Sequence, residues 1–134
     1  MPRMLFVNLP VESLRRSVDF YTQLGFQFNP QFTSDDSTCM ILSDTNFVML
    51  LEMQRFEEFV DKPIADTKKT VSALLSMNMD SVDAVKEFCQ KAFELGARDY
   101  HPARDLGFMY SHGFEDLDGH IIEAFWMDPA ALEG

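Results

Sequence analysis

The sequence has little that suits a disulfide-rich, secreted or membrane-spanning protein. Cys39 and Cys89 are its two cysteines. They are too few for a disulfide framework, and both lie in apolar runs, where cysteine behaves as a small buried hydrophobe. No stretch approaches about 18 uninterrupted apolar residues, and the opening MPRMLFVNLP lacks the long apolar core of a signal peptide. We therefore expect a cytoplasmic protein.

Basic residues are also scarce. The chain has 11 Lys and Arg against 22 Asp and Glu, a formal net charge of −11. An acidic surface repels phosphate backbones and anionic lipid heads, so we expect neither nucleic acid nor a membrane surface as a partner. A phosphate-cradling glycine-rich loop, a paired-cysteine spacing and a Ser/His/Asp order are all missing. These absences exclude several familiar classes of catalytic and metal site.

Large apolar side chains are plentiful. The sequence holds 13 Phe and 9 Met, and 46% of its residues are hydrophobic. Phenylalanine supplies large buried area, while methionine fills irregular gaps and lines adaptable binding surfaces. At 134 residues the chain fits one domain. A phenylalanine-rich core accounts for most of these residues, and an apolar ligand pocket is the other use of them.

One pattern occurs twice along the chain. SLRRSVDFYTQLGF and DSVDAVKEFCQKAFELGA each carry an apolar stripe at helical spacing. Ser13 caps the first helix, and Asp80 or Ser81 caps the second. Gly25 and Gly96 follow the two helix ends, where a left-handed backbone is easiest for glycine. The sequence therefore predicts two helices in equivalent places of an internal repeat.

Each predicted helix follows one apolar run and precedes three more, which have the composition of strands. The predicted strands are Met4–Leu9, Phe26–Phe32, Thr38–Leu42, Asn46–Glu52, Val71–Met79, Arg98–Tyr100, Gly107–Leu117 and His120–Met127. We predict an α+β fold of two tandem βαβββ units with helices on the outer faces of a mixed sheet. Unit 1 spans about 1–52, a linker about 53–69, and unit 2 about 70–128 of a single domain, 1–134.

A candidate polar cluster follows from the last hairpin. Asp118-Gly119 is typical of a two-residue type I′ turn. That turn pairs residue 114 with 123 and residue 112 with 125, so Tyr110, His112 and Glu123 share one face. His112 and Glu123 are then candidates for general acid and base. A purely structural hydrogen bond between them, or a Glu123 that only reaches water, is the alternative.

Two motifs at opposite ends of the repeat resemble those of a known superfamily. LPVESLRRSVDFYTQLGF is similar to V-x-D-L-x-x-S-x-x-F-Y-x-x-L-G-F, with Ser13 in place of Asp, and FEDLDGHIIEAFW is similar to F-x-D-P-D-G-x-x-x-E, with Leu117 in place of Pro. On these motifs the chain resembles the vicinal oxygen chelate superfamily, which includes glyoxalase I, bleomycin-binding proteins, extradiol dioxygenases and fosfomycin-resistance enzymes. The resemblance implies a single glyoxalase-like domain, a cup-shaped sheet and a homodimer.

The resemblance also implies where a metal would bind, since metallo-members place one ligand on the first and last strand of each unit. Those positions carry Phe6, then Met49 (or Glu52 if the register slips), then a residue of Val71–Met77, which contains no His, Glu or Gln, and finally Glu123. One carboxylate is too few for a divalent ion. We expect no cofactor. An atypically bound Zn, Ni, Mn or Fe ion is the alternative.

Strand alternation completes the predicted ligand site. Phe6 and Asn8 share one face of the first strand, and Phe125 lies beside Glu123 on the last. The predicted ligand-binding residues are Phe6, Asn8, Met49, Tyr110 and Phe125. Three functions follow: a metal-free protein that binds a small, partly apolar molecule, a glyoxalase-like lyase or dioxygenase relative using Glu123 and His112, and a module whose apolar sheet faces serve self-association.

Overall fold

The computed structural model describes residues 2–132. The chain forms two compact units, the first ending at Ala65 and the second beginning at Asp66. Within the described residues, no helix is both long enough and apolar enough to cross a membrane.

Unit 1 contains four strands, two α-helices and a short 3₁₀ turn. In chain order they are β1 (Leu5–Val11), α1 (Leu14–Gln23), β2 (Gln27–Phe28), the 3₁₀ turn (Pro30–Phe32), β3 (Ser37–Ile41), β4 (Asn46–Glu52) and α2 (Met53–Glu57). The strand predicted over residues 26–32 is therefore only two residues long. Pro30 lacks a backbone N–H and has its φ fixed, so the chain turns there instead of extending the ladder.

Unit 2 repeats this order with different lengths. Its elements are β5 (Leu74–Asn78), α3 (Val82–Glu94), β6 (Arg104–Asp105), β7 (Met109–Glu115), β8 (Ile121–Met127) and α4 (Pro129–Leu132). The strand predicted over residues 98–100 is an isolated bridge, in which Arg98 pairs with Glu115. Regular pairing along that edge resumes only at β6.

The two units have the same strand topology. The sheet orders are β1-β4-β3-β2 and β5-β8-β7-β6. In each sheet the first strand pairs parallel with the last, and the other pairs are antiparallel. Strand order and strand direction therefore match between the two sheets. The predicted α+β fold of two tandem βαβββ units is confirmed, as two four-stranded mixed sheets.

The capping predictions hold at both helices. Ser13 Oγ accepts a hydrogen bond from Arg16 N at 3.2 Å, and Ser81 Oγ accepts one from Ala84 N at 3.0 Å. Ser81, rather than Asp80, is thus the cap of α3. Gly25 and Gly96 have φ of 104° and 105°, a backbone region that glycine enters without a Cβ penalty. The repeat is therefore visible at the level of single backbone angles.

Each core lies between one helix and one face of its sheet. The largest fully buried side chains are Val11, Tyr21, Thr38, Cys39, Met40, Val48 and Leu50 in unit 1 and Val85, Cys89, Phe114 and Ile122 in unit 2. In unit 2 the contacts show which face the helix covers. The ring centroids of Phe88 on α3 and Phe114 on β7 are 5.6 Å apart. Of the apolar stripe predicted for the second helix, Val85, Cys89 and Ala92 are buried, and Val82 and Leu95 are half-buried.

The turn between β7 and β8 differs from the prediction. Asp116 N donates to His120 O at 2.8 Å, which leaves three loop residues, 117–119, instead of two. Asp116 Oδ1 accepts from the amides of both Asp118 and His120 at 2.9 Å. A type I′ turn needs positive φ at both central residues, but in residues 2–132 only glycines have positive φ. The Asp116 carboxylate, by holding two amides, selects the longer loop.

Candidate functional site

Strand register assigns the residues of unit 2 to two faces of its sheet. Gly113 pairs with Glu123, and His112 pairs with Ala124. Paired residues share a face and neighbours along a strand alternate. We call the side packed against α3 the helix face and the other side the Glu123 face. The helix face carries Leu75, Met77, Tyr110, His112, Phe114, Ile122, Ala124 and Trp126; the Glu123 face carries Leu74, Ser76, Asn78, Met109, Ser111, Gly113, Glu115, Ile121, Glu123, Phe125 and Met127.

The predicted cluster of Tyr110, His112 and Glu123 was therefore wrong. The three-residue loop shifts the β7–β8 register by one residue, and a shift of one moves every side chain of a strand to the other face. Tyr110 and His112 lie on the helix face, where Lys86 Nζ of α3 is 5.5 Å from the Tyr110 ring centroid. Phe125 shares a face with Glu123, as alternation along β8 predicts.

His112 is tied to groups around α3. Its Nε2 lies 3.1 Å from both Asp99 Oδ1 and His101 O. Both partners are acceptors, so the ring proton is on Nε2. The ring also makes an edge contact with Phe93, with centroids 5.5 Å apart. A groove of about 690 Å³ runs along this side of the unit, with His112, Asp99 and Phe93 among its lining residues.

Cys89 of α3 completes this arrangement. Its Sγ donates to the backbone oxygen of His112 at 3.4 Å. Burial, and next the negative charge of Asp99, raises the pKa of the Cys89 thiol to about 11. A thiol with so high a pKa is protonated at neutral pH and is a poor nucleophile. The helix face is thus a packed layer whose polar groups bond to one another.

Glu123 stands on the other face with a different partner. It pairs across the parallel ladder with Ser76 of β5, and Ser76 Oγ donates to its Oε1 at 2.9 Å. Along β8 its neighbours on this face are Ile121 and Phe125. Burying a carboxylate among apolar groups is costly unless hydrogen bonds compensate. Glu123 is half-buried, and Ser76 supplies one of those bonds.

Tyr100 is the residue of this face that the sequence did not reveal. Tyr100 comes two residues after the isolated bridge between Arg98 and Glu115, and its hydroxyl lies beside Gly113. A Cβ built on Gly113 would lie 3.1 Å from the Tyr100 hydroxyl and 2.8 Å from Ile122 O. The glycine therefore makes room for the phenol on the sheet. An isolated glycine within a strand is the signal that could have found it.

The surroundings of Tyr100 keep its hydroxyl protonated. Burial is the main cause of its raised pKa, followed by the negative charges of Glu123 and Glu115 and then by Cys89. A phenol with a raised pKa is a hydrogen-bond donor at any physiological pH. The Glu123 face thus presents a carboxylate and a neutral hydroxyl on adjacent strand positions.

In unit 1, the predicted residues Phe6, Asn8 and Met49 share one face. Phe6 pairs with Phe47, and Asn8 pairs with Met49. The rings of Phe6 and Phe47 stack with centroids 4.8 Å apart. Asn8 Nδ2 donates to Phe6 O at 3.4 Å. This face offers aromatic and thioether surface with one amide group.

Glu52 has a structural contact instead of a place on that face. It is an odd number of residues from Met49, so it points to the opposite side of β4. Its Oε2 accepts from Leu14 N at 2.9 Å, at the first residue of α1. A carboxylate at a helix N-terminus satisfies an unpaired amide and complements the helix dipole. The register therefore places Glu52 on the side of β4 opposite Phe6, Asn8 and Met49.

The residues at the four family positions do not fit a metal centre. In unit 2 the ladder partner of Glu123 is Ser76, whose hydroxyl donates to the carboxylate instead of leaving it for a cation. In unit 1 the corresponding positions hold a stacked aromatic ring and a thioether. Among residues 2–132 no group of three or more His, Cys, Asp or Glu side chains is placed to hold a metal ion.

Comparisons with known proteins agree with this fold. Residues 3–43 match the family described as bleomycin resistance protein-like N-terminal. A hypothetical protein from S. aureus superposes with a TM-score of 0.79 at 23% identity, covering 94% of this chain and 95% of the other. A glyoxalase/bleomycin resistance protein/dioxygenase family enzyme from Burkholderia phytofirmans PsJN gives 0.77 at 16% identity, covering 94% and 99%.

A third structure is the fosfomycin resistance protein FosX from Listeria monocytogenes, with a TM-score of 0.69 at 16% identity and 97% of each chain covered. A search of curated protein sequences finds no significant match. The fold is that of the glyoxalase and bleomycin-resistance proteins. The resemblance to the vicinal oxygen chelate superfamily, predicted from two motifs, is confirmed at the level of the fold and of the N-terminal family match.

Proposed function

We propose that this chain binds a small, partly apolar molecule on the Glu123 face of unit 2, without the metal centre of the superfamily's enzymes. The observation that carries the proposal is the Glu123 carboxylate itself. It lies on a strand between Ile121 and Phe125, and its Oε1 accepts from Ser76. A few polar groups among apolar side chains are the composition of a ligand site.

The chemistry of the carboxylate indicates the kind of ligand. An ionised carboxylate is an acceptor at both oxygens, and Ser76 occupies one position on Oε1. A ligand with an N–H or O–H donor would complete the shell of Glu123. The net charge of −11 favours approach of a cationic donor such as an amine. An aromatic or aliphatic body would pack beside Phe125.

Benzylamine is a suitable first probe because it joins an ammonium group to a phenyl ring. Titration followed by ¹H–¹⁵N amide shifts should perturb Ser76, Gly113 and Glu123. The Glu123→Gln variant should bind benzylamine about ten- to a hundredfold more weakly, since hydrogen bonds to charged groups contribute about 1.5–3 kcal/mol. Glu115→Gln is the matched control, because that carboxylate is on the same face but pairs with Arg98 at 3.3 Å.

The proposal fails if benzylamine shifts none of the amides on the Glu123 face, or if Glu123→Gln and Glu115→Gln weaken binding equally. Melting temperatures of both variants show whether each one is folded.

The enzyme alternative that pairs His112 with Glu123 as acid and base is not part of this proposal. The two side chains lie on opposite faces of the β7–β8 hairpin, whereas proton transfer between a substrate and two such groups requires both within hydrogen-bond reach of it. His112 already donates to Asp99 and His101.

We also propose that the chain forms a homodimer in the cytoplasm. The edge strands β1 and β5 carry exposed apolar side chains, with Leu5 58% and Leu74 48% exposed. Edge strands with apolar side chains are prone to pair with another chain, and a second copy is the simplest partner. Two free, buried cysteines suit a reducing compartment. A monomer mass at all concentrations in light scattering would contradict the dimer.

A further inference from the structure

We propose that Tyr100 is a second recognition residue of the Glu123 face, so that the site selects ligands that carry a hydrogen-bond acceptor next to a donor. The inference rests on the proposed function above and names the ligand class more narrowly. Tyr100 would donate to the ligand's acceptor while Glu123 accepts from its donor. A primary amide, which has a carbonyl oxygen beside an N–H₂ group, is the simplest molecule of this class.

The backbone explains why these two groups meet. Gly113 is the ladder partner of Glu123 on β7, and the Tyr100 hydroxyl occupies the space that a Cβ at Gly113 would enter. Gly113, Glu123 and Ser76 therefore form one row across the sheet, and the Tyr100 hydroxyl lies over Gly113 at the end of that row. Strands lie about 4.8 Å apart. Because Gly113 and Glu123 are ladder partners, the phenol hydroxyl and the carboxylate lie over neighbouring positions of this row.

The partners of the four groups point to a ligand. Ser76 donates to Glu123, so its hydroxyl is engaged. Among the described residues, the Tyr100 hydroxyl has no hydrogen-bond partner while it lies against Gly113. Polar groups that lie near apolar surface normally find a partner in protein, water or ligand. A donor beside an acceptor, on a face that also carries Phe125, is a pair to which a ligand can bind both ends.

Three probes of similar shape separate the contribution of Tyr100 to binding from that of Glu123. Benzamide offers an acceptor and a donor, methyl benzoate only an acceptor, and benzylamine only a donor. Each is titrated against the full-length wild-type protein, Tyr100→Phe and Glu123→Gln, with amide shifts as the readout. Glu115→Gln serves as the control on the same face. Tyr100→Phe removes one oxygen and keeps the ring, and melting temperatures confirm that every variant is folded.

We expect each of the two variants to weaken the binding of a different pair of probes. Tyr100→Phe should weaken the binding of benzamide and of methyl benzoate about three- to tenfold, because a neutral hydrogen bond contributes about that factor to affinity. The affinity for benzylamine should stay within about twofold of the wild-type value. Glu123→Gln should weaken benzylamine and benzamide and spare methyl benzoate. Benzamide should depend on both residues.

Two other results have distinct meanings. If benzylamine binds and depends on Glu123 but Tyr100→Phe changes no affinity, this inference is overturned and the proposed function stands. If none of the three probes perturbs the Glu123 face, the proposed function fails as well. Equal weakening of all three probes by Tyr100→Phe would also overturn the inference, because it would show a general packing role for the ring.

Discussion

The two faces of the unit 2 sheet use similar residue types in different ways. On the helix face, the polar groups of His112, Asp99 and Cys89 bond to one another or to the backbone. On the Glu123 face, Ser76 bonds to Glu123 while the Tyr100 hydroxyl stands beside them on the row of Gly113. One face closes its hydrogen bonds within the protein, and the other is the face on which we propose that a ligand binds.

This difference shows that the identity of a residue is a poor guide to its role within this fold. A histidine in an apolar strand attracts attention as a catalytic candidate, yet His112 is held in the packed layer below α3. A tyrosine in a loop attracts little, yet the Tyr100 hydroxyl lies over Gly113, the ladder partner of Glu123. The register of β7 and β8 decides on which face of the sheet each of their residues lies, and so it puts His112 on one face and Gly113 with Glu123 on the other.

The strongest way to disturb this comparison is to change the loop that sets the register. We expect Gly119→Ala to lower the free energy of unfolding by about 3 kcal/mol or more. Gly119 has φ of 88°, and a Cβ there would lie 2.5 Å from Thr67 O. A left-handed backbone costs an L-residue about 1–2 kcal/mol, and overpacking adds about 1–3 kcal/mol. Urea unfolding measures the total.

Gly107→Ala is the matched control for that substitution. Its φ is 83°, but nothing lies within 4 Å of the added Cβ. Gly107→Ala should therefore lower the free energy of unfolding only by the cost of a left-handed backbone, about 1 kcal/mol. Equal losses at the two glycines would mean that the approach of Thr67 to the loop is not a real constraint.

Most of the fold follows from sequence patterns, but the site depends on details that those patterns do not contain. Helix stripes and caps predicted α1 and α3 because periodicity of 3.6 and a serine cap are local properties. The β7–β8 register was missed because Asp116 bonds to two loop amides, and that choice between two loop lengths is decided by side-chain geometry. Tyr100 was missed because its position depends on an isolated bridge across the sheet edge.

Alkaline pH should destabilise the fold through Cys89 of α3, which packs against the helix face. The folded protein keeps this thiol protonated to about pH 11, whereas the unfolded chain loses the proton near 9.0. The native state then binds more protons than the unfolded state, so stability falls as pH rises from about 9 to 11. At about 1.4 kcal/mol per pKa unit, the full loss is about 2.8 kcal/mol, and about 2 kcal/mol of it falls between pH 9 and 11.

The measurement is the free energy of unfolding at several pH values for wild type and Cys89→Ala. The variant's absolute stability also changes, so the slopes are compared instead of the values. Its slope between about pH 9 and 11 should be shallower. Parallel slopes would show that Cys89 is not held protonated by the helix face.

A smaller effect tests the separation of the two faces directly. A double-mutant cycle of His112→Gln with Asp99→Asn should give a coupling energy of about 0.5–1 kcal/mol, since Asp99 is 55% exposed and its bond to His112 is partly screened. The cycle of His112→Gln with Glu123→Gln should give a coupling within about 0.3 kcal/mol of zero. A coupling of His112 to Glu123 as large as that to Asp99 would contradict the observed register.

The smallest expected effect concerns Tyr100 and the charge of Glu123. Burial raises the pKa of Tyr100 above its ordinary value of 10.0, and the negative charge of Glu123 raises it further. The folded state therefore holds the phenol proton at a pH where the unfolded chain has lost it, so the contribution of Tyr100 to stability declines as pH rises above about 10. Because burial is the larger cause, removing the charge should lower the pKa only in part.

Tyrosine labelled with ¹³C at the ζ carbon reports this titration without unfolding the protein. Glu123→Gln should lower the Tyr100 pKa, whereas His112→Gln, which changes a side chain of the helix face, should leave it in place. If both variants moved the titration equally, the two faces would be electrostatically coupled through the sheet. The donor and acceptor of the Glu123 face would then not be a separate pair, and the division on which the proposed site depends would be lost.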